Sequence, residues 1–181
     1  VVAVKGKGLT RIGADSAGLA GWSLTQRVDP KIYSVGTVVF GYTTSFRMGQ
    51  ILGHMFSQPD HHPDVPMERY MVGPFVDAIR ACLKTGGYAK KENEVESGGE
   101  FLVLYRSRIF RISNDYQVGE SLFPFDAVGS GAEIALGALH AIKDHDLGPA
   151  EKLTAALEAS EALCGSVRRP FIFAEHKWDS K

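Results

Sequence analysis

The sequence predicts an α+β domain built as a four-layer αββα sandwich, two antiparallel sheets flanked by helix pairs. Three observations carry that prediction. Short apolar runs of strand length come in pairs broken at glycines or polar turns, near 1–14, 31–42 and 101–112. Apolar residues at helical spacing recur in two pairs of segments, within 45–84 and 134–164. The resulting order is strands, two helices, strands, two helices and a last strand. It buries its apolar faces best as two sheets face to face with a helix pair on each outside.

Val1 to Lys5 reads as an apolar strand, turned by Lys5-Gly6-Lys7-Gly8 into a second, Leu9 to Ala14. Ser16 to Pro30 reads as irregular. Lys31 to Val35 and Thr37 to Tyr42 read as two further strands broken at Gly36, which suggests one meander of four strands. Ser45 is placed to cap a helix carrying Phe46, Met48, Ile51, Leu52 and Met55. A second helix is expected from about Pro66 to Lys84, stopped by Gly86-Gly87. The charged stretch Lys90 to Gly99 suits an exposed loop, and Phe101 to Tyr105 with Ile109 to Ile112 suits a hairpin. Two helices follow, one containing Ile134 to Ile142 and one from Pro149 to Cys164, before a closing strand at Phe171-Ile172-Phe173.

At 181 residues the chain is long enough for one sizeable core and reads as a single domain over 1–181. A formal net charge of -1 offers neither a nucleic acid nor an anionic membrane the concentrated basic face it needs. Cys82 and Cys164 sit in apolar helical contexts and read as reduced core residues. No apolar run approaches the ~18 residues of a membrane span and no signal peptide opens the sequence, so a cytoplasmic location is expected. The Asp60-His61-His62-Pro63-Asp64 cluster reads as surface, because adjacent histidines point apart in most backbones. No metal or cofactor is expected.

Four motifs give the chain a resemblance: Val1-Val2-Ala3-Val4 as first strand, Gly13-Ala14-Asp15-Ser16 closing the second, Lys31, and Val128-Gly129-Ser130-Gly131 ahead of a helix. In this order they resemble the proteasome β subunits and their bacterial relative, the HslV peptidase, whose fold is that of the N-terminal-nucleophile hydrolases. In that family an N-terminal threonine attacks the peptide carbonyl through its hydroxyl, and its own amine or a water takes the proton. The resemblance makes Lys31 the lysine that lowers the hydroxyl pKa, Asp15 the aspartate that holds the ammonium, and Ser130 the serine near the amine. Without the resemblance, Asp15 and Lys31 read as an ion pair on a hairpin edge, and Ser130 as a helix cap completed by Glu133.

The resemblance also implies a ring of like subunits that takes unfolded polypeptide from an ATP-dependent unfoldase. The apolar stretches Phe46 to Met55 and Met67 to Phe75 are candidate surfaces for self-association. Where the family usually has glycines lining the substrate cleft, this chain has Thr43, Thr44 and Arg47, which become the candidate substrate-binding residues. Two departures matter. The sequence opens at Val1, just past the family's usual pair of threonines, so the nucleophile is absent from the chain as it stands. The family's second aspartate aligns with Ala162, next to Glu161. Two expectations follow and the sequence leaves both open: a peptidase whose threonine precedes Val1, or an inactive subunit that keeps the fold for assembly.

Overall fold

Residues 1–92 and 95–177 are described by the structure, a computed structural model. Strands β1 (Val2–Gly6) and β2 (Leu9–Ala14) form an antiparallel hairpin in register Val2 opposite Gly13. They occupy the centre of a four-stranded sheet, flanked by β12 (Phe125–Ala127) on β1 and β13 (Ile172–Lys177) on β2, with every pairing antiparallel. The second sheet contains β5 (Ile32–Val35), β6 (Val38–Tyr42), β9 (Phe101–Tyr105), β10 (Arg108–Ile112) and the short β11 (Val118–Gly119), again all antiparallel. Two separate hairpins complete the strands, β3 (Ala17–Ala20) with β4 (Ser23–Gln26), and β7 (Lys90–Glu92) with β8 (Val95–Ser97).

Residue alternation explains the layers, because successive side chains of a strand point to opposite faces. Ala3 and Ile12 of the first sheet meet Val39, Leu102, Leu104 and Ile109 of the second in a buried apolar inter-sheet core. Their neighbours Val2 and Val4 point the other way, onto α4 (Ala132–Ala141) and α5 (Pro149–Leu163) through Ala135, Leu139, Leu153 and Leu157. On the opposite outside, Phe40, Tyr42, Phe101, Val103 and Tyr105 pack on α1 (Phe46–Met55), α2 (Met67–Tyr70) and α3 (Val76–Thr85). The sheets approach closely at Gly41, where an added Cβ would stand 2.4 Å from Ile12 Cδ1. No larger residue fits between them there without displacing Ile12.

The helix ends follow their sequence signals. Ser45 caps α1, its Oγ accepting from the backbone N–H of Arg47 and Met48. Glu151 accepts from the Gly148 N–H at the start of α5, where Pro149 loses nothing because the first helical N–H has no partner in the helix. Between α2 and α3 the helix widens into a π turn, Met71–Phe75, at Pro74, whose missing N–H and bulky ring disfavour the regular ladder.

The structure corrects four readings of the sequence. The first four strands are not one meander: β1–β2 and β5–β6 lie in opposite sheets, joined by a connection whose β3–β4 hairpin replaces the irregular stretch expected over Ser16 to Pro30. Lys90 to Ser97 forms a hairpin rather than a loop, with residues 93 and 94 outside the described residues. The apolar residues of α1 and the α2–π segment serve this chain's own core: Met48, Ile51, Leu52, Met71 and Phe75 are buried, leaving only Met55 and Val72 as large exposed apolar groups there. Cys164 is not a core residue; it ends α5 partly exposed, and both cysteines are free. Among the described residues no helix is long and apolar enough to cross a membrane.

Candidate active site

Asp15 follows β2 in one sheet and Lys31 precedes β5 in the other, so the gap between the sheets brings them together. Lys31 Nζ donates to Asp15 Oδ1 at 2.7 Å, with side-chain exposures of only 15% and 8%. The other carboxylate oxygen, Oδ2, accepts from the Ala17 N–H at 2.9 Å and from the Arg168 N–H at 3.3 Å. Three donors therefore orient a nearly buried carboxylate, and that carboxylate in turn fixes the position of Lys31 Nζ. The Phe46 ring, 5.8 Å from the ammonium, walls one side of it.

The start of β1 lies beside this pair. The Val1 amine donates to Val128 O at 3.0 Å, and Val128 N–H donates back to Val1 O at 2.9 Å. Burial pushes the amine from its ordinary value near 8.0 down to about 6, with Asp15 opposing the shift and Lys31 reinforcing it. Val1, Asp15, Lys31, Thr43, Ser130 and Ser166 all face one small cavity of about 40 Å³. That volume admits water or a small attached group.

The glycine between Val128 and Ser130 is required by its conformation. Gly129 has φ 98°, and a Cβ there would press to 2.9 Å from Thr43 Oγ1, so the backbone passes flush against Thr43. Ser130 is not the cap of α4. Gly131 occupies that position with no side-chain hydrogen bond, and Ser130 Oγ turns instead to Ser166 Oγ at 2.5 Å. Ser166 Oγ continues to Cys164 Sγ at 3.1 Å, forming a chain of two hydroxyls and a thiol along one wall of the site. The hydrogen bond from Ser166 pulls the Cys164 thiol below its ordinary value, assisted by Ser130 and the Arg168 charge against partial burial.

The substrate-binding expectations divide. Thr43 lines the cavity, and its N–H donates to Glu100 O at 3.1 Å. Thr44 is exposed in a left-handed conformation (φ 70°), its Oγ1 accepting from the Glu100 N–H at 3.2 Å. Arg47 turns away, donating to Gly86 O at the C-terminal end of α3. Ala162, aligned with the expected second aspartate, is exposed, and neighbouring Glu161 is taken by the backbone N–H and guanidinium of Arg169. Ser166 escaped sequence reasoning, since a Gly-Ser pair after a helix has no local signal that separates it from any loop, and Cys164 was read as core rather than as part of the site. Among the described residues no group of three His, Cys, Asp or Glu side chains is placed to hold a metal. His61 has both ring nitrogens engaged, with Tyr105 Oη at 3.0 Å and Val65 O at 2.8 Å.

No protein-family model matches the sequence, and no curated protein matches it significantly. Solved structures do match. Thiobacillus denitrificans BPH is 22% identical, with a TM-score of 0.82 over 99% of this chain and 98% of that one, and 0.81 for its complex with epoxomicin. HslV from Trypanosoma brucei is 14% identical, with a TM-score of 0.70 over 98% of each chain. Anbu from Yersinia bercovieri is 12% identical, with a TM-score of 0.67 over 97% of this chain and 80% of that one. The chain has the proteasome and HslV fold, that of the N-terminal-nucleophile hydrolases, as its four motifs imply.

Proposed function

We propose that this chain is a β-type subunit of a ring-forming threonine peptidase that cleaves unfolded polypeptide, with its nucleophile supplied by a threonine ahead of Val1. The observation that carries the reading is the Lys31–Asp15 pair, held across the two sheets and opening on the cavity at the start of β1. A pair that served stability alone gains nothing from facing that cavity. A threonine hydroxyl entering there meets a fixed positive charge, which favours its deprotonation as it attacks a peptide carbonyl. The amine of that threonine, or a water beside it, takes the proton and later returns it to the leaving amine. Ser130 and Ser166 supply hydroxyls to the same space. Thr43 forms its wall toward the substrate. By the same resemblance, an ATP-dependent unfoldase feeds the ring.

The second reading is an inactive subunit that keeps the fold for assembly. It is favoured by the absence of the carboxylate that the resemblance expects at Ala162, which is exposed, and by a chain of hydroxyls that ends on Cys164. One experiment separates the two. Mass spectrometry of the protein isolated from its native source fixes the N-terminal residue. Epoxomicin, found in complex with BPH, is then added to the same sample. The peptidase reading expects an N-terminal threonine and a stoichiometric mass increase. A native N-terminus at Val1 with no labelling would leave the assembly role.

A further inference from the structure

We propose that the β3–β4 hairpin is the element by which one copy of this chain docks on the next, with Trp22 as its anchor and an apolar groove beside α4 as its receiver. This rests on the ring reading above and names the contact that builds the ring. The hairpin pairs with neither main sheet. Its two-residue tip is Gly21, at φ 59°, and Trp22, which is fully exposed. Leu19 and Leu24 stand directly opposite each other in register, and both are exposed. No residue from 17 to 26 is charged. An isolated two-stranded ribbon is marginal in water, and an exposed apolar face weakens it further unless something covers it. Exposed tryptophan with no surrounding charge is also the composition of an interface centre rather than of free surface.

The chain exposes 9725 Å² in all, against about 8,600 Å² for a compact monomer of its mass, which leaves area for the roughly 800 Å² each partner contributes to a standard interface. That both a knob and a groove of matching character lie on one chain points to a second copy as the cover. A receiver exists on the same chain. Phe123, Phe125, Leu136, Gly137 and His140 line an open groove of about 560 Å³, large enough for an indole. The charges at its rim are already paired, Arg111 with Asp126 and Arg108 with Glu120, so an uncharged insert leaves none of them stranded. Knob and groove are different patches of one chain, which makes the contact head-to-tail, the kind that closes into rings.

The test is sedimentation of the full chain at about 1, 10 and 100 µM, spanning the range in which a standard interface assembles, for the parent, Trp22→Ser and Gly137→Glu. Both sites are exposed, and a Cβ at Gly137 meets nothing within 4 Å, so both variants should melt like the parent. Each should weaken association by about tenfold or more. Mixed together they should form pairs, because Gly137→Glu keeps the knob and Trp22→Ser keeps the groove. A Trp22→Ser protein that assembles like the parent overturns this inference and leaves the ring reading standing. Loss with Trp22→Ser but none with Gly137→Glu overturns the assignment of the groove. A parent that stays monomeric throughout the range overturns the ring reading itself.

Discussion

Lys31 and Asp15 are joined at 2.7 Å across the gap between two sheets, one residue contributed by each. The bond is therefore a tie between layers as well as a source of local charge. Replacing Lys31 with alanine leaves Asp15 nearly buried without its ammonium partner and dependent on two backbone N–H groups. We expect a loss of about 2 to 3 kcal/mol, less than a fully buried broken pair because the lysine keeps some exposure. Adding Asp15→Asn to that variant should recover part of the loss. Urea unfolding of the two variants checks both values, and an unchanged midpoint for Lys31→Ala would show that the pair contributes nothing to stability.

The same substitution has a separate consequence for chemistry. In a protein bearing a threonine ahead of Val1, Lys31→Ala should lower peptide turnover by ~10³-fold or more, as for other members of a catalytic unit. Assembly, measured on the same samples by sedimentation, should stay near the parent's. A Lys31→Ala protein that cleaves at the parental rate removes the lysine from the mechanism.

How far the sequence revealed this molecule depended on how local each signal was. The β1–β2 and β9–β10 hairpins are short apolar runs joined by short polar or glycine turns, so both were legible. Ser45, Pro149 and Gly86 mark helix ends by their own chemistry. By contrast β12 is three residues long, and its partner β1 lies more than a hundred residues earlier, so no window of sequence contains the pairing. The false meander had the same cause: which sheet a strand joins is decided by distant partners. The β3–β4 hairpin is small, uncharged and mostly outward-facing, which removes the polar and apolar contrast that betrays a strand. Asp15 and Lys31 stood out through the resemblance, and the structure pairs them, whereas Ser166 meets Ser130 only because the chain after α5 returns to the site.

For protein whose first residue is Val1, stability should depend on pH through the buried amine. Its pKa falls from near 8.0 when exposed to about 6 in the fold. Between those values the unfolded chain binds the extra proton, so stability rises with pH from 6 to 8 and is lost again as pH falls toward 6. The full effect is about 2 to 3 kcal/mol. Chemical denaturation at pH 6, 7 and 8 reads it directly. Joining a further residue to Val1 turns the amine into an amide and should flatten this slope; an equal slope in both proteins would assign it to another group.

The two cysteines should differ in reactivity, because their surroundings act in opposite directions. Burial raises the Cys82 thiol, which donates only weakly to the Ile51 carbonyl at 3.8 Å. At Cys164 the Ser166 hydroxyl, the Ser166 N–H, Ser130 and the Arg168 charge favour the thiolate, and the side chain is partly exposed. Thiolate fraction and access together set the rate of alkylation. Iodoacetamide at pH 7.5 should therefore modify Cys164 well before Cys82, as read by peptide mass mapping over time. Ser166→Ala removes the principal donor and should slow Cys164 by several-fold while leaving Cys82 unchanged. The modified thiol stands one hydroxyl from Ser130, so in an active protein alkylation should also depress turnover, and Cys164→Ser should resist that loss. Equal labelling of both cysteines, or a Ser166→Ala variant that labels at the parental rate, would break the link between the hydroxyl chain and the thiol.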